Sequence, residues 1–200
     1  IKDLELCRFV LETYNTWAAD FRKADPNRLV PLAELPNYDP EAAAGELRRA
    51  AKLGLAGADI AVSEAVLPLW HRGWDPLWAA ADEWNMPISF HATGYPVRAP
   101  SDARMLAEYN AQFSTTYTTM FQLAGAEMLT AILMSGALER YPGMKFVLGE
   151  CGVGWIPYIL GRVYQEYEDL QTLNFPMKPS DYWRRQGYTT FQHEATVVDV

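Results

Sequence analysis

The chain has 200 residues, half of them apolar and 21% charged, enough for one substantial hydrophobic core and unlike a disordered or fibrous sequence. Its net charge of −8 and pI near 4.9, with no run of Lys and Arg, argue against a nucleic-acid partner. With no apolar run of about 18 residues, no basic-then-apolar leader and no CxxC spacing between Cys7 and Cys151, a cytoplasmic protein with unpaired thiols and no membrane partner is expected.

Residues 1–25 place Leu6, Phe9, Val10, Tyr14, Trp17 and Phe21 three and four apart, which predicts an amphipathic helix with that face buried. Residues 28–35 predict a short buried strand, with Pro31 removing one ladder hydrogen bond. Asp39-Pro40-Glu41 starts a second helix with a capping residue, a proline in the first position and an acidic first turn, and Gly54 ends it. Residues 55–62 predict the next strand, so that strand, helix and strand with short connections imply parallel pairing and a right-handed crossover. The loop over residues 68–76 leads to another Asp-Pro start at Asp75-Pro76, where Leu77, Trp78, Ala81 and Trp84 supply the buried stripe.

Met86-Pro87-Ile88-Ser89-Phe90-His91-Ala92-Thr93-Gly94 is a short β-prone run, entered through a proline and left through a glycine, with His91 at its carboxyl end. Residues 94–109 predict a long loop with some helix, placed to act as a lid. Tyr117, Phe121, Ala124, Met128, Ile132 and Leu133 mark a long helix ending before Tyr141-Pro142-Gly143. Residues 145–150 predict a buried strand ending at Glu150, and residues 155–170 a helix with Ile156, Ile159, Leu160, Val163 and Tyr167 on one face. A turn from Phe175-Pro176 to Pro179 and a Ser180-Asp181 cap lead into a fifth strand over residues 188–193, with His193 at its exit. The chain begins at Ile1 without a methionine and ends inside the apolar run Val197-Val198-Asp199-Val200, so both ends look cut.

Five parallel strands separated by helices fit an open doubly wound sheet or part of a (β/α)8 TIM-like barrel. Gly149, Gly152 and Gly154 do not have the spacing of a dinucleotide-binding loop, so the barrel is the better fit, and residues 1–200 form one partial barrel domain covering roughly strands three to seven.

Side chains at the carboxyl ends of such strands meet ligands, which draws His91, Glu150 and His193 toward one axis. A set of His and carboxylate groups can bind a divalent metal such as Zn²⁺ and lower the pKa of its water to about 7. Glu150 can instead act as a general acid or base, or simply cap the following helix, and His91 can be a core histidine bonded to backbone. Trp78 and Trp84 fall on a helix stripe, whereas Trp70 and Trp74 sit in a loop at a pocket rim with His71 between them. Trp70, His71, Trp74, Trp155 and His193 are the candidates for contact with a small-molecule substrate.

The runs Asp75-Pro76-Leu77-Trp78, Pro87-Ile88-Ser89-Phe90-His91 and Tyr141-Pro142-Gly143-Met144-Lys145-Phe146-Val147-Leu148-Gly149-Glu150-Cys151-Gly152-Val153-Gly154-Trp155-Ile156-Pro157 resemble the amidohydrolase superfamily. Within it the chain is similar to the branch of aminocarboxymuconate semialdehyde decarboxylase and related aromatic-acid decarboxylases and hydrolases. The resemblance implies a distorted (β/α)8 barrel with one divalent metal, usually Zn²⁺, held by a His-x-His pair on strand one, a histidine ending strand five and an aspartate ending strand eight. His91 matches the strand-five ligand, and the other three have no counterpart here. Glu150 stands where many relatives carry a histidine, as in a subgroup with Glu-x-Gly-x-Gly-Trp. A glutamate cannot supply the same cationic donor at neutral pH but can accept a proton from water, which favours hydrolysis over decarboxylation. The resulting expectation is a metal-dependent hydrolase or decarboxylase of a small carboxylated or ring-derived substrate, in an assembly compatible with a homodimer. Two alternatives stay open: a metal-free, lactonase-like hydrolase relying on Glu150, and a non-catalytic barrel remnant.

Overall fold

The computed structural model describes residues 3–91, 101–170 and 174–194. The first helix, α1 (Leu4–Arg22), starts where the Asp3 carboxylate accepts hydrogen bonds from the backbone N–H groups of Glu5 and Leu6. Its apolar stripe does not face the core as its spacing predicts: Phe9 is 66% exposed and Trp17 56%, and Leu6, Val10, Tyr14 and Phe21 are exposed with them. The buried face is Asn15, Ala18 and Ala19, whose short side chains let the helix approach the sheet edge. There the Asn15 amide donates to the Glu34 carbonyl at 2.9 Å and accepts from the Glu34 N–H at 2.8 Å. One side chain thus satisfies both backbone groups that a neighbouring strand would have paired.

That edge strand, β1 (Ala33–Glu34), is shorter than the predicted run, in keeping with the donor missing at Pro31. The helix α2 (Pro40–Leu53) matches its sequence signals, capped by Asp39 and closed by Gly54 at φ +92°. After β2 (Ala58–Ala61), a 3₁₀ turn over Arg72–Trp74 runs into α3 (Asp75–Trp84), in which Leu77, Trp78 and Ala81 are buried and Trp84 is exposed. β3 (Ile88–His91) follows.

Of the expected lid, residues 94–100 lie outside the described residues, and the rest carries α4 (Ala103–Glu108). The single long helix expected next is three: α5 (Asn110–Phe121), α6 (Ala124–Met134) and α7 (Ala137–Arg140). Gly136 at φ +71° separates the last two, a backbone turn that periodicity cannot register. Then come β4 (Phe146–Gly149), α8 (Ile156–Leu170), α9 (Pro179–Gln186) and β5 (Gly187–Thr189). Lys178, not Ser180 or Asp181, occupies the cap position of α9, because Pro179 takes the first helical position.

The sheet order is β1-β2-β3-β4-β5 and every pairing is parallel. The register aligns Glu34, Asp59, Ser89, Val147 and Tyr188 across the sheet, and two residues further on it aligns Ala61, His91 and Gly149. Side chains alternate along a strand, so those two rows share one face. The opposite face carries Ala58, Ile60, Ile88, Phe90, Phe146 and Leu148, all fully buried under the helices. An aromatic chain runs through this core from Trp74 to Trp78, Phe90, Phe146 and Trp183, with successive ring centroids 6.2, 5.9, 6.0 and 5.8 Å apart. Both cysteines are free, and among the described residues no helix is long and apolar enough to cross a membrane.

Candidate active site

His91 closes β3 at the carboxyl end of the sheet, and its row neighbour on β4 is Gly149. A Cβ at Gly149 would lie 3.4 Å from His91 Cδ2 and 3.0 Å from Ser89 Oγ, so the glycine leaves room for the imidazole. The next residue, Glu150, adopts φ +56°, a left-handed conformation that costs a non-glycine residue of order 1–3 kcal/mol and is held only where surrounding bonds fix it. Those bonds are present. The Glu150 N–H donates to Thr190 Oγ1 at 2.8 Å, and Gln192 Nε2 donates to Glu150 Oε1 at 3.0 Å. The other carboxylate oxygen, Oε2, lies 3.2 Å from His91 Nε2, with the two side chains 44% and 40% exposed. The sequence-predicted pair therefore meets at one point and stays open to solvent.

One row deeper on the same face lie Glu34, Asp59 and Ser89, which sequence reasoning missed. Burial pushes the Asp59 carboxyl above the usual carboxylate range, opposed by the Ser89 hydrogen bond and by His91. Burial also raises Glu34, with repulsion from Asp59 adding to the effect and His91 opposing it. The Tyr14 phenol of α1 is raised by burial and by those same two carboxylates. The signal was present in the sequence as Asp59 and Ser89, polar residues interrupting the apolar strands Ala58–Ala61 and Ile88–His91.

The remaining candidates are placed differently. Trp74 is fully buried, its indole N–H donating to the Leu67 carbonyl at 3.0 Å, so it is a core residue and not part of a pocket rim. The cause is the 3₁₀ turn, which folds it back against Trp78. Trp70 is 57% exposed in the β2–α3 connection, and His71 beside it accepts the Gly73 N–H on Nδ1 at 2.9 Å. Trp155 donates its indole N–H to the Cys151 carbonyl and is half-buried beside Gly125 of α6, where an added Cβ would come within 2.7 Å of its ring. His193 lies beyond the end of β5, exposed, with no hydrogen bond or ion pair among the described residues. Its neighbours Gln192 and Glu194 are both engaged with the β4 loop.

An imidazole nitrogen and a carboxylate oxygen facing each other at a strand mouth are donor types that a divalent cation accepts. They fit such an ion in kind and supply two donors; among the described residues no three His, Cys, Asp or Glu side chains converge on a metal position.

The amidohydrolase family model matches residues 2–188. The chain belongs to that family. It is 29% identical over 187 residues to the gamma-resorcylate decarboxylase of Polaromonas sp. (strain JS666 / ATCC BAA-500), covering 88% of this chain and 55% of that protein. Among solved structures, the dihydroxybenzoic acid decarboxylase of Polaromonas sp. JS666, with bound manganese and the inhibitor 2-nitroresorcinol, superposes with a TM-score of 0.68 at 24% identity, over 96% of this chain and 59% of its own. The 5-carboxyvanillate decarboxylase of Sphingomonas paucimobilis gives a TM-score of 0.64 at 25% identity, over 88% of this chain and 52% of its own. The chain thus spans a little over half the length of these relatives, and its five parallel strands are part of a TIM-like amidohydrolase barrel.

Proposed function

We propose that the full-length protein is a metal-dependent decarboxylase of a small aromatic carboxylate. The observation that carries this reading is the meeting of His91 Nε2 and Glu150 Oε2 at 3.2 Å, at the carboxyl ends of adjacent parallel strands, in a chain related to enzymes named for that chemistry. The relatives' chemistry favours carbon–carbon cleavage over the hydrolysis that a glutamate at position 150 suggests by itself.

In this reading His91 is a ligand for one divalent ion, completed by donors outside the 200 residues. A bound ion would supply positive charge to hold the substrate carboxylate and neighbouring oxygen and to stabilise negative charge developing on the ring. The reaction replaces the ring–carboxylate bond with a ring–hydrogen bond and releases CO₂, so one proton must reach the ring carbon. In this reading Glu150 carries it, supported by a side chain whose Oε1 accepts from Gln192 while Oε2 lies beside His91 Nε2. On the same reading the substrate meets Trp70 and His71, exposed in the β2–α3 connection, and Trp155 and His193 from the segments after β4 and β5. Residues 1–200 act as part of a single catalytic domain, in a cytoplasmic enzyme.

The test uses the full-length protein with gamma-resorcylate and 5-carboxyvanillate, reading CO₂ release together with metal content. About one divalent ion per chain is expected, and the measurement itself decides between the zinc suggested by the resemblance and the manganese of the solved neighbour. His91→Ala should largely empty the site, and Glu150→Gln should keep the metal while lowering kcat by about 10²- to 10⁴-fold. Unchanged metal content in His91→Ala, or no CO₂ release from the metal-loaded protein, defeats the proposal. Ester or lactone cleavage that survives exhaustive chelation would instead establish a metal-free hydrolase relying on Glu150.

A further inference from the structure

The segment after β5 is stitched to the loop after β4 far more densely than sheet pairing requires. Besides the bond from Glu150 N–H to Thr190 Oγ1, the Thr190 carbonyl accepts from Gly152 N–H at 3.1 Å, and Thr189 Oγ1 donates to the Gly152 carbonyl at 2.9 Å. Gln192 reaches Glu150 Oε1. Two residues later the Glu194 carboxylate takes the Val153 N–H on both oxygens, each at 2.9 Å, and the Gly154 N–H on Oε2 at 2.9 Å. Successive N–H groups turned toward one point form an anion-holding concavity, and this one lies just ahead of the positive end of α8. Gly152, at φ +71°, belongs to the same arrangement, because a Cβ there would fall 2.1 Å from Glu194 Oε1.

We infer that Glu194 is a positioning residue for Glu150: its carboxylate fills the concavity at Val153 and Gly154 and fixes the loop in the shape that turns Glu150 toward His91. The inference deepens the decarboxylase reading and rests on it for the role given to Glu150. The left-handed backbone at Glu150 is not a conformation the residue keeps unaided, and the bonds on either side of it come from Thr190, Gln192 and Glu194. Gln192 and Glu194 act together, one on the side chain of Glu150 and the other on the loop that carries it. Removing the Glu194 carboxylate leaves two N–H groups without their acceptor and frees the loop to relax. Trp155 reports on that loop directly, since its indole N–H is bonded to the Cys151 carbonyl.

The experiment compares full-length wild type, Glu194→Ala and Glu194→Gln in two readouts. The first is kcat, KM and metal content with the two aromatic acids, with and without added formate, a carboxylate small enough to enter the space left by alanine. The second is the indole N–H NMR signal of Trp155, assigned by its disappearance in Trp155→Phe. Glu194→Ala should lower kcat by about 10- to 100-fold with KM and metal content little changed, shift the Trp155 signal, and recover part of both with formate. Glu194→Gln, which keeps one neutral acceptor oxygen, should fall between wild type and alanine, and it carries the test if the alanine variant does not fold. Wild-type kcat together with an unmoved Trp155 signal in the variants overturns the inference, as does a loss of kcat accompanied by loss of metal. If wild type releases no CO₂, the decarboxylase reading fails by itself, and the Trp155 signal alone decides whether Glu194 holds the loop.

Discussion

Asp59 sits on the inward sheet face where its charge opposes folding. Burial raises its folded-state pKa above the unfolded value near 4, so the folded protein binds the proton more tightly than the unfolded chain does. Stability associated with this group is therefore full below the unfolded pKa, declines as the pH rises through the folded one, and stays at its lower level at neutral pH. Asp59→Asn keeps an acceptor for the Ser89 hydroxyl and removes the charge. The variant should unfold at higher urea concentration than the parent at pH 7, with the difference shrinking toward pH 4; a difference that does not depend on pH would show that charge burial is not the cause. A second contrast concerns the thiols. Cys151 is fully buried, its pKa is pushed up to about 12, chiefly by burial, and its Sγ donates to the Gly149 carbonyl at 3.1 Å. Cys7 is only partly buried. A thiol reagent applied to the native protein should label Cys7 and spare Cys151 until denaturant is added, and rapid labelling of both would contradict the placement of Cys151.

The strand at His91 was easy to read, because Pro87 and Gly94 bracket a run in the sequence whose apolar content leaves few other options. The cap at Asp39 and the αL glycine at position 54 made α2 equally plain. The positions of His91 and Glu150 were legible for the same reason: each closes a largely apolar run, and parallel order then puts the two strand ends side by side. What the pattern could not show was which neighbour an element meets. The α1 stripe has helical spacing, yet the helix turns its alanines and Asn15 to the sheet, because a bidentate amide on the Glu34 backbone requires close approach. Trp74 was misplaced because a loop position says nothing about a 3₁₀ turn folding the ring inward, and Glu34 and Asp59 were passed over because a strand was judged by its apolar residues. Trp74→Ala separates the two readings. As a core residue at one end of the aromatic chain, its loss should cost about 3–5 kcal/mol of stability while KM of the folded enzyme changes little. A rim residue would give the opposite result, weaker substrate binding at unchanged stability.

The five strands form a sheet with two outer edges and an inward face lined by carboxylates, in a chain that spans 55% of its Polaromonas relative. A closed barrel has no edges and buries its inward row, so the surfaces left open here are those the rest of a barrel would meet. Asn15 covers the β1 edge at Glu34, which blunts one site of strand addition. Among the described residues the face of α1 has no such cover: Phe9, Trp17 and Phe21 are exposed, with Trp17 and Phe21 stacked at 5.4 Å, and contiguous apolar surface of this kind drives association in water. Residues 1–200 expressed alone should therefore bind the dye ANS and increase in mass with concentration when followed by light scattering. Placing charge on the stripe through Phe9→Glu and Trp17→Glu should reduce both effects while leaving the helical signal in circular dichroism, since neither side chain supports the core. In the full-length protein the parent sequence should show neither effect. A 200-residue chain that stays monomeric and dye-free would mean that α1 turns its aromatic face inward in solution, and the pairing of Asn15 with Glu34 would have to be abandoned with it.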